Sequence, residues 1–200
     1  YRLRDELTTE TRQVKIDFSG KTIVSTGAGG GIGSEAVRLF SELGGKVVAV
    51  DIEATTLNSA VDSANAAGGT ASAVVADITQ ASEVDKFSDA ALAEHGKIDV
   101  LFNNAGGSVP TPMEQIDRVE FERIRALNFD AVYQSCMRAL PEMVKNGVGV
   151  IVNTTSSAGT GAVNGLAVYG AAKAGVNSFT RSIAVEYGQK GIRANAIAPS

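Results

Sequence analysis

Cysteine, histidine and tryptophan are close to absent. Cys136 is the one cysteine, His95 the one histidine, and the 200 residues contain no tryptophan. A single thiol excludes an internal disulfide and any CxxC or multi-cysteine zinc site. A single imidazole excludes HExxH and multi-histidine metal centres, and a Ser-His-Asp triad would have to use His95 itself. A basic surplus is also missing. Eighteen Lys and Arg face 22 Asp and Glu, a net charge of −4, which is the wrong sign for tracking a nucleic-acid backbone. No run approaches the about 18 apolar residues of a membrane-spanning helix, and no charged-then-apolar leader opens the chain. These absences point to a cytoplasmic protein that binds neither nucleic acid nor membrane.

What is abundant is glycine, 22 of 200 residues against about 7% in an average chain. The glycines cluster instead of repeating, so somewhere the backbone must lie close to something else. The length suits one domain at about 150 residues per domain, enough to bury about 70% of the unfolded surface. The chain opens at Tyr1 and stops at Ser200 directly after an apolar run, which reads as a segment of a longer protein. Residues 1–16 carry mixed charge and only weak helical spacing of Leu3 and Leu7, so a solvated N-terminal extension is expected there. One domain is expected over residues 17–200.

Short continuous apolar runs occupy Thr22–Thr26, Lys46–Val50, Thr70–Ala76, Ile98–Phe102, Val148–Val152 and Ile192–Ile197. Lack of alternation is the pattern of strands buried on both faces. Segments with helical spacing separate them: Ser34–Leu43, Ala54–Ala67, Ala81–His95, about Asp117–Lys145, and Ala167–Gln189. Strand–helix–strand alternation with such crossovers implies right-handed βαβ units. The expected fold is α/β, a Rossmann-type doubly wound parallel sheet between two helical layers, with six strands present and a further C-terminal strand missing.

The glycine cluster, Thr26-Gly27-Ala28-Gly29-Gly30-Gly31-Ile32-Gly33, follows the first strand and opens the first helix. Gly27, Gly31 and Gly33 fit TGxxxGxG; GxGxxG would need glycine at Ile32. At a helix start the unpaired N–H groups favour a phosphate, and glycines let pyrophosphate approach. Asp51 ends the second strand 24 residues beyond Gly27. A carboxylate there can accept from both hydroxyls of an adenosine ribose and repel a 2′-phosphate. Neither Gly30 nor Ile52 is basic, so NAD(H) is favoured over NADP(H); alternatively Asp51 caps the next helix. Asp77-Ile78 closes the third strand where an adenine would lie, or serves as a turn or capping Asp. Asn103-Asn104-Ala105-Gly106 closes the fourth, its amides satisfying loop backbone, contacting a cofactor, or both.

Tyr169 and Lys173 are four apart on a helix and project from one face. An ammonium beside a phenol favours phenolate, making the tyrosine usable as a general acid or base. The pair alone could be a surface pair. Ser156, thirteen residues earlier, stands at the carboxyl end of the fifth strand, where such sheets bind ligands, and could hold a substrate oxygen. His95 reads as a surface residue at a helix C-terminus, and Cys136 as an inert packed thiol.

With these motifs in this order, residues 17–199 resemble the short-chain dehydrogenases/reductases. The resemblance rests on Asp17-Phe-Ser-Gly-Lys21, Thr26–Gly33, Asp51, Asp77, Asn103–Gly106, Asn128, Ser156, Tyr169-Gly-Ala-Ala-Lys173 and Asn195-Ala-Ile-Ala-Pro199. It implies an oxidoreductase that interconverts a secondary alcohol and a ketone, with hydride passing to or from the nicotinamide of NAD. By it Tyr169 is the acid/base, Ser156 positions the substrate oxygen, and Lys173 tunes the tyrosine and binds the nicotinamide ribose. Asn128, otherwise only a polar residue on a helix face, holds a water linking Lys173 to solvent. The implied cofactor set is Gly27, Gly31, Ile32, Gly33, Asp51, Asp77, Ile78, Asn104, Tyr169 and Lys173, with no metal. Homodimers or homotetramers built on long helices are implied. Two alternatives remain: a 3-oxoacyl-thioester reductase using NADPH, against which Asp51 argues, and a non-catalytic dinucleotide-binding regulatory protein. The chain departs from the family at Ala172, where Ser is frequent, and at Ser200, where Gly usually follows the proline. The family's further C-terminal segment, with its substrate-covering loop, lies beyond Ser200.

Overall fold

The computed structural model describes residues 16–200; the extension expected over residues 1–16 lies, apart from Ile16, outside them. Six strands form one parallel sheet: β1 (Thr22–Thr26), β2 (Lys46–Asp51), β3 (Thr70–Val75), β4 (Val100–Asn103), β5 (Gly149–Thr154) and β6 (Ile192–Ile197). Their spatial order is β3-β2-β1-β4-β5-β6, so the chain starts in the middle, winds outward one way, then returns and winds the other. The reversal between β1 and β4 leaves a crevice at the carboxyl edge.

Six α-helices make the crossovers: α1 (Gly31–Glu42), α2 (Ala54–Ala66), α3 (Ala81–His95), α4 (Arg118–Arg125), α5 (Ala131–Asn146) and α6 (Ala167–Tyr187). On one face Ile23, Val47, Ala49 and Val100 pack with Val37 of α1 and Leu57 and Val61 of α2. On the other Val24, Val48, Leu101 and Ile151 pack with Phe87 of α3, Met143 of α5, and Val176 and Ile183 of α6. Neighbouring residues on a strand face opposite layers, which is why the central runs show no apolar–polar alternation. β1 is wholly buried. The expectation of burial on both faces fails at the two edge strands, β3 and β6, whose residues are largely half-buried or exposed, since an edge has a neighbour on one side only.

The helix expected over Asp117–Lys145 is interrupted. Between α4 and α5 residues Ala126–Asp130 form a π-helical turn. Within it Asn128 Nδ2 donates to the Ile124 carbonyl at 2.9 Å, competing with the main-chain ladder.

A buried polar chain stitches the carboxyl ends of the central strands to the helices. Asn103 Nδ2 donates to Asn153 Oδ1 (2.9 Å) and to Cys136 Sγ (3.4 Å), and Asn153 Nδ2 donates to Thr180 Oγ1 (2.9 Å). Asn103 and Asn153 are directly paired across β4 and β5. His95 is not the surface residue expected: its side chain is largely buried, with Nε2 3.3 Å from Glu94 Oε1. Among the described residues no helix is long and apolar enough to cross a membrane, and no group of three or more His, Cys, Asp or Glu could hold a metal.

Candidate active site

The register brings the strand ends to one level. Thr26 pairs with Val50, Asp51 with Val75, and Asn103 with Asn153. Above this edge runs a cleft of about 690 Å³, within the range of sites that hold ligands of moderate size. Gly27, Gly31, Ile32, Asp51, Asp77, Ile78, Asn104, Ser156, Tyr169 and Lys173 all line it. Two residues singled out from the sequence do not. Gly33 is buried beneath the loop, and Asn128 is fully buried behind Gly106.

The loop glycines serve two different needs. Gly27 has φ +66°, and a Cβ on it would stand 2.7 Å from Ala105 Cα. A Cβ on Gly33 would stand 1.9 Å from the Gly27 carbonyl oxygen. Both positions require glycine for the protein's own packing. Gly31 is different: a Cβ there would meet nothing within 4 Å. It opens α1, whose N-terminal turn has no side-chain cap, so free N–H groups and a partial positive charge face the cleft.

Asp51 does not cap α2; that cap is Glu53, whose side chain accepts from Thr55 N. Asp51 instead takes Gly29 N on Oδ2 at 2.9 Å and Glu53 N on Oδ1 at 3.0 Å. Its carboxylate is thus locked beside the loop, with further lone pairs open to a ligand. Asp77 accepts from both Thr79 N (2.9 Å) and Thr79 Oγ1 (2.7 Å), a turn contact, while Gln80 occupies the N-cap position of α3. Asn104 also has a structural role: Nδ2 donates to the Gly27 carbonyl at 3.3 Å, and Oδ1 accepts from Thr154 Oγ1 at 3.3 Å.

At the opposite end of the cleft α6 presents Tyr169 and Lys173. Lys173 is 1% exposed, and its Nζ donates to the Thr154 carbonyl at 2.9 Å. That nitrogen lies 5.6 Å from the centre of the Tyr169 ring. Burial lowers the Lys173 pKa from 10.5 to about 8, because desolvation disfavours the ammonium. Ser156 lies two residues past the end of β5 and caps a short 3-10 turn, its Oγ accepting from Ala158 N at 3.1 Å. With that lone pair engaged, the hydroxyl proton is available to a neighbour.

Asn128 is fixed on three sides. Oδ1 accepts from Gly107 N at 2.9 Å, and Nδ2 donates to the Gly107 and Ile124 carbonyls at 3.0 and 2.9 Å. A Cβ on Gly106 would stand 2.8 Å from Asn128 Oδ1 and 2.9 Å from Lys173 Nζ. Only glycine there leaves these two polar atoms facing a common point. Gly106 was visible in the sequence as part of a motif, without this role. Arg123 on α4 also lines the cleft, and no sequence signal marks it. Cys136 is buried, and desolvation pushes its thiol pKa up to about 12 despite the Asn103 hydrogen bond, in keeping with an inert packed thiol.

The family model for short chain dehydrogenase matches residues 21–200. The chain is 39% identical over 184 residues to a 7alpha-hydroxysteroid dehydrogenase of Escherichia coli K12, spanning 92% of this chain and 72% of that one. A 7alpha-hydroxysteroid dehydrogenase solved with NADH and 7-oxo glycochenodeoxycholic acid superimposes with a TM-score of 0.88 at 38% identity, over 92% of this chain and 72% of that chain. A metagenomic short-chain oxidoreductase solved with NADP gives a TM-score of 0.88 at 33% identity, over 92% and 83%. This chain belongs to the short chain dehydrogenase family and is an oxidoreductase that interconverts an alcohol and a ketone.

Proposed function

We propose that residues 17–200 form one cofactor-binding and catalytic domain, and that its cofactor is NAD(H), with Tyr169 as acid/base. The observation that carries this reading is the single cleft joining the uncapped start of α1 and Asp51 to Ser156, Tyr169 and Lys173. The residues fit a dinucleotide: Gly31 leaves open space where any other side chain would intrude. Gly31 and Ile32 would hold the pyrophosphate on the free N–H groups of the first turn, with Gly27 beside them and Gly33 packing the turn from beneath. Asp51 would take the adenosine ribose, and Asp77 with Ile78 the adenine end. Asn104, Tyr169 and Lys173 would hold the nicotinamide half. When bound, the cofactor supplies or accepts the hydride.

The chain's own residues manage the oxygen and its proton. Ser156 donates to the substrate oxygen, since its Oγ already accepts from Ala158 N. Tyr169 exchanges the proton with that oxygen, and the Lys173 cation stabilises the phenolate left behind. Asn128 would hold a water that links Lys173 to solvent and so passes the proton onward. The choice of NAD(H) is supported by Asp51, which would repel a 2′-phosphate, and by Ile52, apolar and 66% exposed beside it. Relatives are known with either form, NADH in one solved structure and NADP in another. We also propose a cytoplasmic homodimer or homotetramer, the association supported by a largely apolar groove between α4 and α6.

The test is Tyr169→Phe in the full-length protein. Turnover of a panel of secondary alcohols and ketones, followed by NADH absorbance, should fall by about a hundredfold or more. NADH binding, read by fluorescence, should be retained. Unchanged turnover, or a stronger response to NADPH than to NADH, would count against the reading.

A further inference from the structure

The short helix α4 is dense in charge, carrying Arg118, Glu120, Glu122, Arg123 and Arg125. Two of its cations are engaged away from the cleft. Arg118 Nε donates to Glu122 Oε1 at 2.8 Å on the surface. Arg125 borders the groove against α6 and stands 3.3 Å from Asp130 Oδ2. Arg123 lines the cleft instead, and among the described residues Lys173 is the only other cation that does. Nothing in the proton route from Ser156 to Asn128 uses it.

Helix geometry decides which end of the cleft Arg123 serves. Phe121 and Arg125 both border the groove between α4 and α6. Successive helical residues turn by about 100°, so position 123 points away from both, on the side opposite α6. Tyr169 and Lys173 belong to α6. The other flank is α3: on α5, which continues α4, Arg138 bonds Asp89 and stands 3.4 Å from Asp85, both on α3. Asp77, Ile78 and Thr79 line the cleft just before α3 begins. Arg123 therefore faces the end that Asp77 and Ile78 would give to adenine.

The guanidinium is held in a fixed plane. Nε and Nη2 donate to the two carboxylate oxygens of Glu120 at 2.6 and 2.7 Å, a bidentate pair. These bonds engage one edge and leave Nη1 and both faces of the plane for another partner. The Glu120 carboxylate offsets the positive charge, so the pair attracts a phosphate only weakly. A neutral aromatic ring is the better match, since a guanidinium stacks on its face and donates to its ring nitrogens. Ile78, Ala105 and Leu127 add apolar lining to the same cleft, which a flat base can cover.

Resting on the dinucleotide reading above, we infer that Arg123 is a cofactor-positioning residue. Its guanidinium, fixed by Glu120, lies against the adenine of the bound cofactor and closes the adenine subsite on the α4 side.

The experiment compares the full-length protein with Arg123→Ala, in which a strong helix former preserves α4. KM for NADH and Kd for ADP-ribose, which has no nicotinamide, should both rise about five- to tenfold. The kcat should hold, because the reacting end is untouched. For reduced nicotinamide mononucleotide, which has no adenine, kcat/KM should not change. An ADP-ribose Kd equal to that of the wild type overturns the inference. So does an equal loss with the mononucleotide, which would be damage to the whole site. Arg123→Lys keeps the charge and loses the plane, so it should stay closer to the alanine variant; full rescue by lysine overturns the stacking contact. A loss greater for NADPH than for NADH would put the guanidinium on a phosphate and overturns it too. Adenine is common to both cofactors. A wild type that prefers NADPH would therefore defeat the NAD(H) reading alone, while the ADP-ribose loss would still support Arg123.

Discussion

At Lys173 burial and charge are in conflict. The side chain is 1% exposed, yet it holds a hydrogen bond to the Thr154 carbonyl that an ammonium makes best. Desolvation outweighs that bond and brings the pKa to about 8 from 10.5. The folded pKa is therefore below the unfolded one, so the proton favours the unfolded chain. Below about pH 8 this costs on the order of 3 kcal/mol of stability. Between about 8 and 10.5 the unfolded chain holds a proton that the folded one has released, and unfolding free energy rises with pH. Denaturant titrations across that window should show the rise in the wild type, and Lys173→Met should flatten it. A wild-type curve already flat would place the charge elsewhere. Asp51, at the end of β2, reads from the sequence as a ribose contact, with a helix cap as the lesser alternative. Glu53 takes the cap, which removes the capping role and leaves Asp51 bonded to Gly29 N and Glu53 N at the edge of the cleft.

The element that matters most to ligand binding is the start of α1. Its glycines separate into those that the protein requires and one that it does not. Gly33→Ala would force a Cβ to within 1.9 Å of a backbone oxygen, and overpacking against backbone should cost about 3 kcal/mol or more. Gly31→Ala meets nothing within 4 Å and replaces helix glycine by a better helix former, so stability should hold or rise by up to about 1 kcal/mol. NADH affinity should nevertheless fall in Gly31→Ala, because the added methyl occupies the approach to the free N–H groups. Thermal unfolding and NADH titration of both variants check this. Retained NADH affinity in Gly31→Ala would remove the loop from the cofactor site. The π turn at residues 126–130 is the contrasting element. Helical spacing across Asp117–Lys145 was legible, but the break was not, since it depends on Asn128 reaching Gly107, 21 residues away.

For the whole molecule, a largely apolar groove lies between α4 and α6, with Arg125 at its edge. Met113, Phe121, Phe129, Val168 and Ala171 line a groove of about 440 Å³ there, and a Cβ on Gly175 would press on the Phe129 ring at 3.1 Å. Apolar surface of this kind on long helices suits burial against a second copy. Sedimentation at micromolar concentration should give a dimer or tetramer, and Phe121→Lys should shift it toward monomer; a clean wild-type monomer would contradict the proposal. The sequence by itself determined the α/β class, the crossovers and the set of residues at the carboxyl edge. Those follow from local physics: short non-alternating runs are the pattern of strands buried on both faces, which holds for the central strands and not for the edges, and glycines at a strand-to-helix turn mark a close approach. The tertiary contacts settled which loop glycines the protein's own packing requires, how far Lys173 is desolvated, and that Asn128 lies behind Gly106. Each of these is set by distances between residues far apart in the chain, and periodicity and spacing carry no information about such distances.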